Sequence, residues 1–334
     1  MRKLPSRIPR MFRRGKQRGM ISFFPRKRNR KRQLQRQSRK SPGQYRIPAP
    51  KPRRSQESKA AGSFMMTARS SFPRFRNMAQ DKEHRGMYRF ADRVTLIRSA
   101  HEAVHEMCAA YREDPDCAPE IIIRTGENEI AYERERSAQE DLAEGRKARA
   151  FPDAYLETLA VYRQLAEAMP AFDTFLVHGS CIAVDGMGYL FTAKSGTGKS
   201  THTRLLRELL GSRAQMVNDD KPLARVQEDG TVIFGTPWDG SHHLSANMSV
   251  PLEAVCFLER MKENRIRRIT KAEALPLLLA QVYRPGSPAA LKQTLDLLER
   301  LDTKFYRLQC NMDPEAAEVS WAAIQKGGGE CEAE

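Results

Sequence analysis

Gly188-Tyr189-Leu190-Phe191-Thr192-Ala193-Lys194-Ser195-Gly196-Thr197-Gly198-Lys199-Ser200-Thr201 decides how the rest of the chain is read. Residues 188–192 read as a β-strand. The small residues Ser195, Gly196, Thr197 and Gly198 then let backbone N–H groups close on an anion. Lys199 and the hydroxyl of Ser200 follow at the spacing of a phosphate-binding P-loop, in which the lysine reaches the outer phosphates and the hydroxyl holds Mg²⁺. Ala193 stands where G-x-x-x-x-G-K-[ST] has its first glycine, which marks a variant of the loop. Residues 203–210 carry Leu205, Leu206, Leu209 and Leu210, a helical pattern, and Gly211 sits where a C-cap glycine belongs. Strand, glycine-rich loop and helix together aim free N–H groups and the positive end of a helix dipole at the anion. Ser195, Gly196, Thr197, Gly198, Lys199, Ser200 and Thr201 are therefore expected to bind nucleotide, with Lys199 facing solvent.

Gln215-Met216-Val217-Asn218-Asp219-Asp220 reads as a short strand ending in paired carboxylates. A metal at such a loop needs an oxygen ligand from a neighbouring strand end, and a kinase needs a base for the acceptor hydroxyl. The adopted division has Ser200 and Asp219 toward Mg²⁺ and Asp220 as catalytic base. Lys199 would stabilise the transferred charge. The reverse order of the two aspartates, and a plain solvated Asp-Asp turn, are the alternatives.

Val177-His178-Gly179-Ser180, then Gly186 and Gly188, the loop itself, Asp219-Asp220-Lys221 and Gly235-Thr236-Pro237-Trp238 form an ordered set. Together they resemble the catalytic domain of HPr kinase/phosphorylase. They are more similar still to HPr-kinase-related ATP-binding proteins with Ser-Gly-Thr-Gly-Lys-Ser-Thr-His-Thr and a later Gly-Thr-Pro-Trp. ATP-dependent phosphoenolpyruvate carboxykinase has a similar loop and Asp-Asp. The match spans about residues 87–324 and is densest over 172–240. The resemblance implies an α/β fold of α+β character, a P-loop domain with mixed β-sheets flanked by helices. It also implies ATP and Mg²⁺ as cofactors, a site role for His178 with Lys221 as a polar partner, and transfer of the γ-phosphoryl group to a serine of a peptide or protein. Thr201 stands where HPr kinase/phosphorylase usually has glutamate, as in the carboxykinases, and the downstream signature of the phosphorylase reaction is not found. A non-catalytic ATP-binding regulatory module and a carboxykinase-like small-molecule enzyme are the competing readings.

Charge divides the chain sharply. Residues 1–60 hold 22 Lys and Arg against one acidic residue, Glu57, a net of +21; the whole chain is +16, so residues 61–334 carry −5. Segments such as Arg26-Lys27-Arg28-Asn29-Arg30-Lys31-Arg32 cannot bury enough apolar surface to offset chain entropy, so residues 1–80 are expected to be a disordered basic tail. With Phe12, Phe23, Phe24 and Tyr45 interleaved, that tail suits nucleic acid or an anionic surface. It is otherwise a solvated linker, or untranslated: Met65, Met66, Met78 and Met87 are alternative starts, and the family resemblance begins near Met87. Six scattered cysteines with no C-x-x-C pair suit reduced thiols. No apolar run has transmembrane length. The expected location is cytoplasmic, and oligomeric state is left open.

The folded part divides at Pro170 into a small α/β module (81–170) and the loop-bearing domain (171–334). Helices are expected over residues 100–112, 153–168, 271–283 and 288–301. Strands are expected at 120–124, 254–258 and 306–308, with a strand or turn at 129–135. Turns are expected at Asp185-Gly186 and Asp229-Gly230. His101-Glu102-Ala103-Val104-His105 spells the zinc-protease H-E-x-x-H. The charged Glu106 and the lack of a following Gly-x-x-His favour a solvated amphipathic helix instead. His242-His243 reads as a polar loop pair.

Overall fold

The computed structural model describes residues 83–327, apart from 144 and 241, all within the unit Pro73–Glu334. The expectations for residues 1–80, the basic tail and its alternative starts, lie outside the described residues.

Strands β1 (His84–Phe90) and β2 (Arg93–Ser99) form a hairpin whose turn residues Ala91 and Asp92 have φ of 45° and 59°. Helix α1 (Ala103–Met107) and a 3₁₀ turn at Ala109–Tyr111 follow, and β3 (Ile121–Arg124) pairs parallel to β2. The helix expected over 100–112 is thus cut short. The Glu157 carboxylate takes the N–H groups of Ala100 and His101 at 2.7 and 2.8 Å, tying the chain sideways before a helix can begin. The stretch 129–135, read as strand or turn, lies inside helix α2 (Glu127–Ala143). That helix buries only Ile130, Glu133 and Asp141, so it has no apolar stripe to read. Helix α3 (Asp153–Ala168) starts and stops as its apolar spacing predicts.

The remainder runs β4 (Thr174–Leu176), β5 (Ser180–Val184), β6 (Met187–Thr192), α4 (Lys199–Leu210), β7 (Ala214–Asn218), β8 (Leu223–Gln227), β9 (Gly230–Phe234), β10 (Ser249–Arg260), β11 (Arg265–Ile269), α5 (Lys271–Leu279), α6 (Pro288–Arg300), β12 (Lys304–Cys310) and α7 (Glu315–Gln325). Strand β10 belongs to two sheets. Ser249, Val250 and Pro251 pair antiparallel with β9, whereas Leu252 and Ala254 onward pair parallel with β6 and β12. One sheet is β4-β8-β9-β10, and the other is the mixed β11-β12-β10-β6-β5-β7. The fold is mixed α/β, with mixed sheets flanked by helices, the class expected from sequence.

Both faces of β6 are covered, so it reads as an almost unbroken apolar run. Tyr189 and Phe191 join Leu205 and Leu206 of α4 and Trp321 and Ile324 of α7. Leu190 points the other way, among Val255, Phe257, Leu297 and Leu298. A third cluster draws from both sides of Pro170, joining Phe90, Tyr111, Val161 and Leu165 to Leu176, Phe234 and Trp238. Helix α5 ends at Leu279, short of the expected Tyr283. Gln281 and Tyr283 instead bond the backbone of His178 and Leu176, at 2.8 and 2.9 Å.

Helix α5 opens on a reciprocal cap, in which Glu273 N–H donates to Thr270 Oγ1 and Thr270 N–H donates to the Glu273 carboxylate. Thr270→Ala should lower stability by about 1 kcal/mol. The reading is a reduced urea midpoint at constant m; an unmoved midpoint would show that the cap contributes nothing.

Candidate functional site

The loop between β6 and α4 lies beside the end of β10. Gly196 and Gly198 have φ of +75° and +119°, with open space where a Cβ would lie. It is the left-handed backbone, not crowding, that requires glycine there. Thr197 closes the loop on the Lys194 carbonyl through its N–H at 3.2 Å and its hydroxyl at 2.8 Å. Arg260, at the end of β10, donates to the Gly196 carbonyl at 2.8 Å. Ser195 and Gly196 are exposed and Ser200 and Thr201 half-buried. The first N–H groups of α4 have no carbonyl one turn back to meet, which suits an anion.

Lys199 departs from expectation. It is 7% exposed, and its Nζ donates to the Ala193 carbonyl at 3.1 Å. The nearest strong acceptor is the loop's own backbone, so the ammonium folds back on it instead of facing solvent. Burial, together with Lys221, lowers its pKa from the ordinary lysine value against the opposing pull of Asp220.

The fold gives the two aspartates different surroundings. Asp219 is buried, and its Oδ1 accepts a 2.6 Å bond from Ser180 Oγ, which is itself 2.8 Å from Thr203 Oγ1 on α4. The carboxylate is thereby tied to the loop helix. Its Oδ2 lies 3.7 Å from His242 Nδ1, and a Cβ on Gly240 would come within 3.1 Å of it. Asp220 is one-third exposed, with Lys221 Nζ at 2.9 Å and His178 Nε2 at 3.4 Å. His178 Nδ1 sits 3.2 Å from Gln281 Oε1. Burial first, then the ammonium groups of Lys221 and Lys199, push His178 down to about 4, leaving the imidazole neutral at pH 7.

Sequence reading missed the residue that shapes this turn. Asn218 Oδ1 accepts the N–H groups of Asp220 and Lys221 at 2.8 and 2.7 Å, while its Nδ2 donates to the Thr236 carbonyl at 2.9 Å. Gly235-Thr236-Pro237-Trp238 is the other half of the latch. Thr236 Oγ1 donates to the Lys221 carbonyl at 2.8 Å, and Trp238 Nε1 donates to the Thr158 carbonyl of α3 at 2.9 Å. A Cβ at Gly235 would meet the Ala246 carbonyl oxygen at 1.9 Å.

The arrangement offers a cradle for an anion, a buried carboxylate beside it, and a second carboxylate open to solvent that can take a proton. Among the described residues no three His, Cys, Asp or Glu side chains form a metal-holding group. A metal here would draw on Ser200, one carboxylate and oxygens of the bound ligand, a donor set that fits Mg²⁺ at a phosphate site. The H-E-x-x-H histidines do not converge. His101 Nδ1 pairs with Glu157 at 2.7 Å, whereas His105 lies between the Tyr88 and Ser99 hydroxyls at 2.7 and 3.0 Å. His243 pairs with Asp239. The five described cysteines are unpaired, and no helix among the described residues is long and apolar enough to cross a membrane.

His202, on the buried side of α4, lies 3.1 Å from Ser320 Oγ of α7, and its Nδ1 has no partner among the described residues. Burial pushes its pKa down to about 4 from the ordinary 6.5. The unfolded chain therefore binds this proton first. Stability should fall as pH drops from about 6.5 toward 4, by up to about 3 kcal/mol from this group. His202→Gln should make that limb shallower, with the share of His178 remaining. Denaturation midpoints between pH 7 and 4.5 test this, and equal slopes in both proteins would remove His202 as the cause.

No family model matches the chain, and no curated protein matches it either. Among solved structures, the Hpr(Ser) kinase/phosphatase from Coxiella burnetii is similar at a TM-score of 0.28 and 12% identity, over 46% of this chain and 97% of that one. A likeness that slight carries no weight on what this chain binds.

Proposed function

We propose that the chain is a MgATP-dependent phosphotransferase that moves the γ-phosphoryl group of ATP to a hydroxyl, a serine of a peptide or protein. The observation that carries this reading is the Ser180–Thr203 bridge, which joins the glycine-loop helix to Asp219 and sets the Asp219-Asp220 turn beside the cradle. The loop N–H groups and the α4 N-terminus hold the phosphates. Lys199 exchanges the Ala193 carbonyl for a phosphate oxygen. Ser200 and Asp219 would hold Mg²⁺, which would supply neutralisation of phosphate charge. Asp220 takes the proton of the acceptor hydroxyl, flanked by neutral His178 and cationic Lys221. The new O–P bond forms as the bond to the β,γ-bridging oxygen breaks, and ADP leaves with that electron pair. A serine acceptor is supported by the family resemblance of the motif set.

The test is incubation of the full chain with γ-labelled ATP, Mg²⁺ and serine-containing peptides or a protein fraction. Label should enter seryl oxygen only with Mg²⁺ present. Nucleotide binding with no transfer would favour the regulatory module, and transfer to a small carboxylic acid would favour the carboxykinase-like reading.

A further inference from the structure

Asp220 opens onto a cleft of about 890 Å³ between α2, α3 and residues 280–284, with His178 and Lys221 in the same wall. Much of the remaining wall is arginine. The carboxylates that fix these arginines lie beneath them. Asp141 is 1% exposed, while Arg146 and Arg149, which hold it at 2.8 and 2.9 Å, are 48% and 60% exposed. Glu133 is likewise buried against Arg163. Arg284 is exposed and has no ion pair among the described residues. Glu140, paired with Arg136, is the exposed exception.

With Asp141 buried beneath them, the exposed guanidinium groups of Arg146 and Arg149, joined by exposed Arg284, leave a cationic face toward the cleft, while Arg163 is itself largely buried. Arg149, already pinned by Asp141 beneath it, loses little freedom when it receives a second anion, whereas Arg284 brings a positive charge with no carboxylate partner among the described residues. The guanidinium fork of both suits carboxylate geometry. The cleft volume is that of a ligand pocket. It admits a short extended segment of chain and excludes a folded domain.

We propose that this cleft seats the phosphoryl acceptor, and that the acceptor is an acidic peptide segment whose carboxylates are taken by Arg149 and Arg284 while its hydroxyl meets Asp220. The hydroxyl's part rests on the phosphotransferase reading; the carboxylates' part does not. Binding and transfer are therefore measured separately.

The probe is a set of fluorescein-labelled peptides of one length, each with a single serine flanked by glutamate, glutamine or lysine. Fluorescence anisotropy at fixed salt gives their affinity for the full chain. The strongly basic first 60 residues would also attract acid, so the decisive comparison is between full-length wild type, Arg284→Gln and Arg284→Glu, in which that segment is unchanged. Arg284 is exposed and has no ion pair among the described residues, so neither substitution threatens folding. The glutamate peptide should bind wild type at least about tenfold tighter than the glutamine peptide. Arg284→Gln should lose most of that advantage, and Arg284→Glu should lose all of it. Equal affinity of the glutamate peptide for all three proteins overturns the proposal, as does a wild-type preference for the lysine peptide. Arginine-dependent binding of the glutamate peptide without label transfer from ATP would leave the cleft assignment standing and sink the phosphotransferase reading.

Discussion

Lys199→Ala is expected to reduce phosphoryl transfer by at least about a hundredfold, the typical loss when one preorganised charge-stabilising contact is removed from a transferring group. The lysine's burial complicates the reading of that variant, because truncating a side chain that is 7% exposed also leaves a void beneath the loop. Lys199→Met fills the space without the charge. Equal loss in both variants, with thermal transitions near wild type, assigns the effect to the ammonium. The helix should survive, since α4 is anchored by Leu205 and Leu206 in the core. Wild-type transfer by Lys199→Met would remove the loop from the active site.

Asp220→Asn is expected to cost transfer roughly a hundredfold to ten-thousandfold while MgATP binding persists, because an amide cannot accept the hydroxyl proton. Asp219→Asn should behave differently. Its Oδ1 receives the Ser180 hydroxyl at 2.6 Å, and an amide there would weaken both that bridge and the proposed hold on Mg²⁺. The Mg²⁺ dependence of nucleotide binding should shift to higher concentration. Isothermal titration with and without Mg²⁺, beside single-turnover transfer, separates the two. Mild and equal effects would identify a solvated turn, and exchanged phenotypes would reverse the roles.

The strand, loop and helix around Gly196 were legible because each signal is local. Glycine supplies the positive φ, the leucines repeat at helical spacing, and Gly211 ends the helix. Helix α3 was legible for the same reason. Helix α2 was not, since its buried positions hold Glu133 and Asp141, whose arginine partners are contributed by α3 and by the segment after α2. Periodicity counts apolar residues and is blind to a carboxylate buried by a guanidinium. The Asn218–Thr236 latch and the fold-back of Lys199 depend on which backbone carbonyl comes near. No spacing rule encodes that.

The contact between α4 and α7 also sets a timetable for the chain's synthesis. His202 meets Ser320, 118 residues later, and Trp321 packs edge-on against Tyr189 at 5.2 Å. At ribosomal speeds that separation is on the order of ten seconds of translation. During that interval the helix behind the glycine loop has β5, β6 and β7 against it but lacks its cover from α7, and β10 has no β12 beside it. A nascent chain stalled before residue 315 should therefore be cut by protease within α4 more readily than the full chain, and, on the proposed reading, should hold nucleotide less well. Protection of α4 from protease would then report that α7 has joined it.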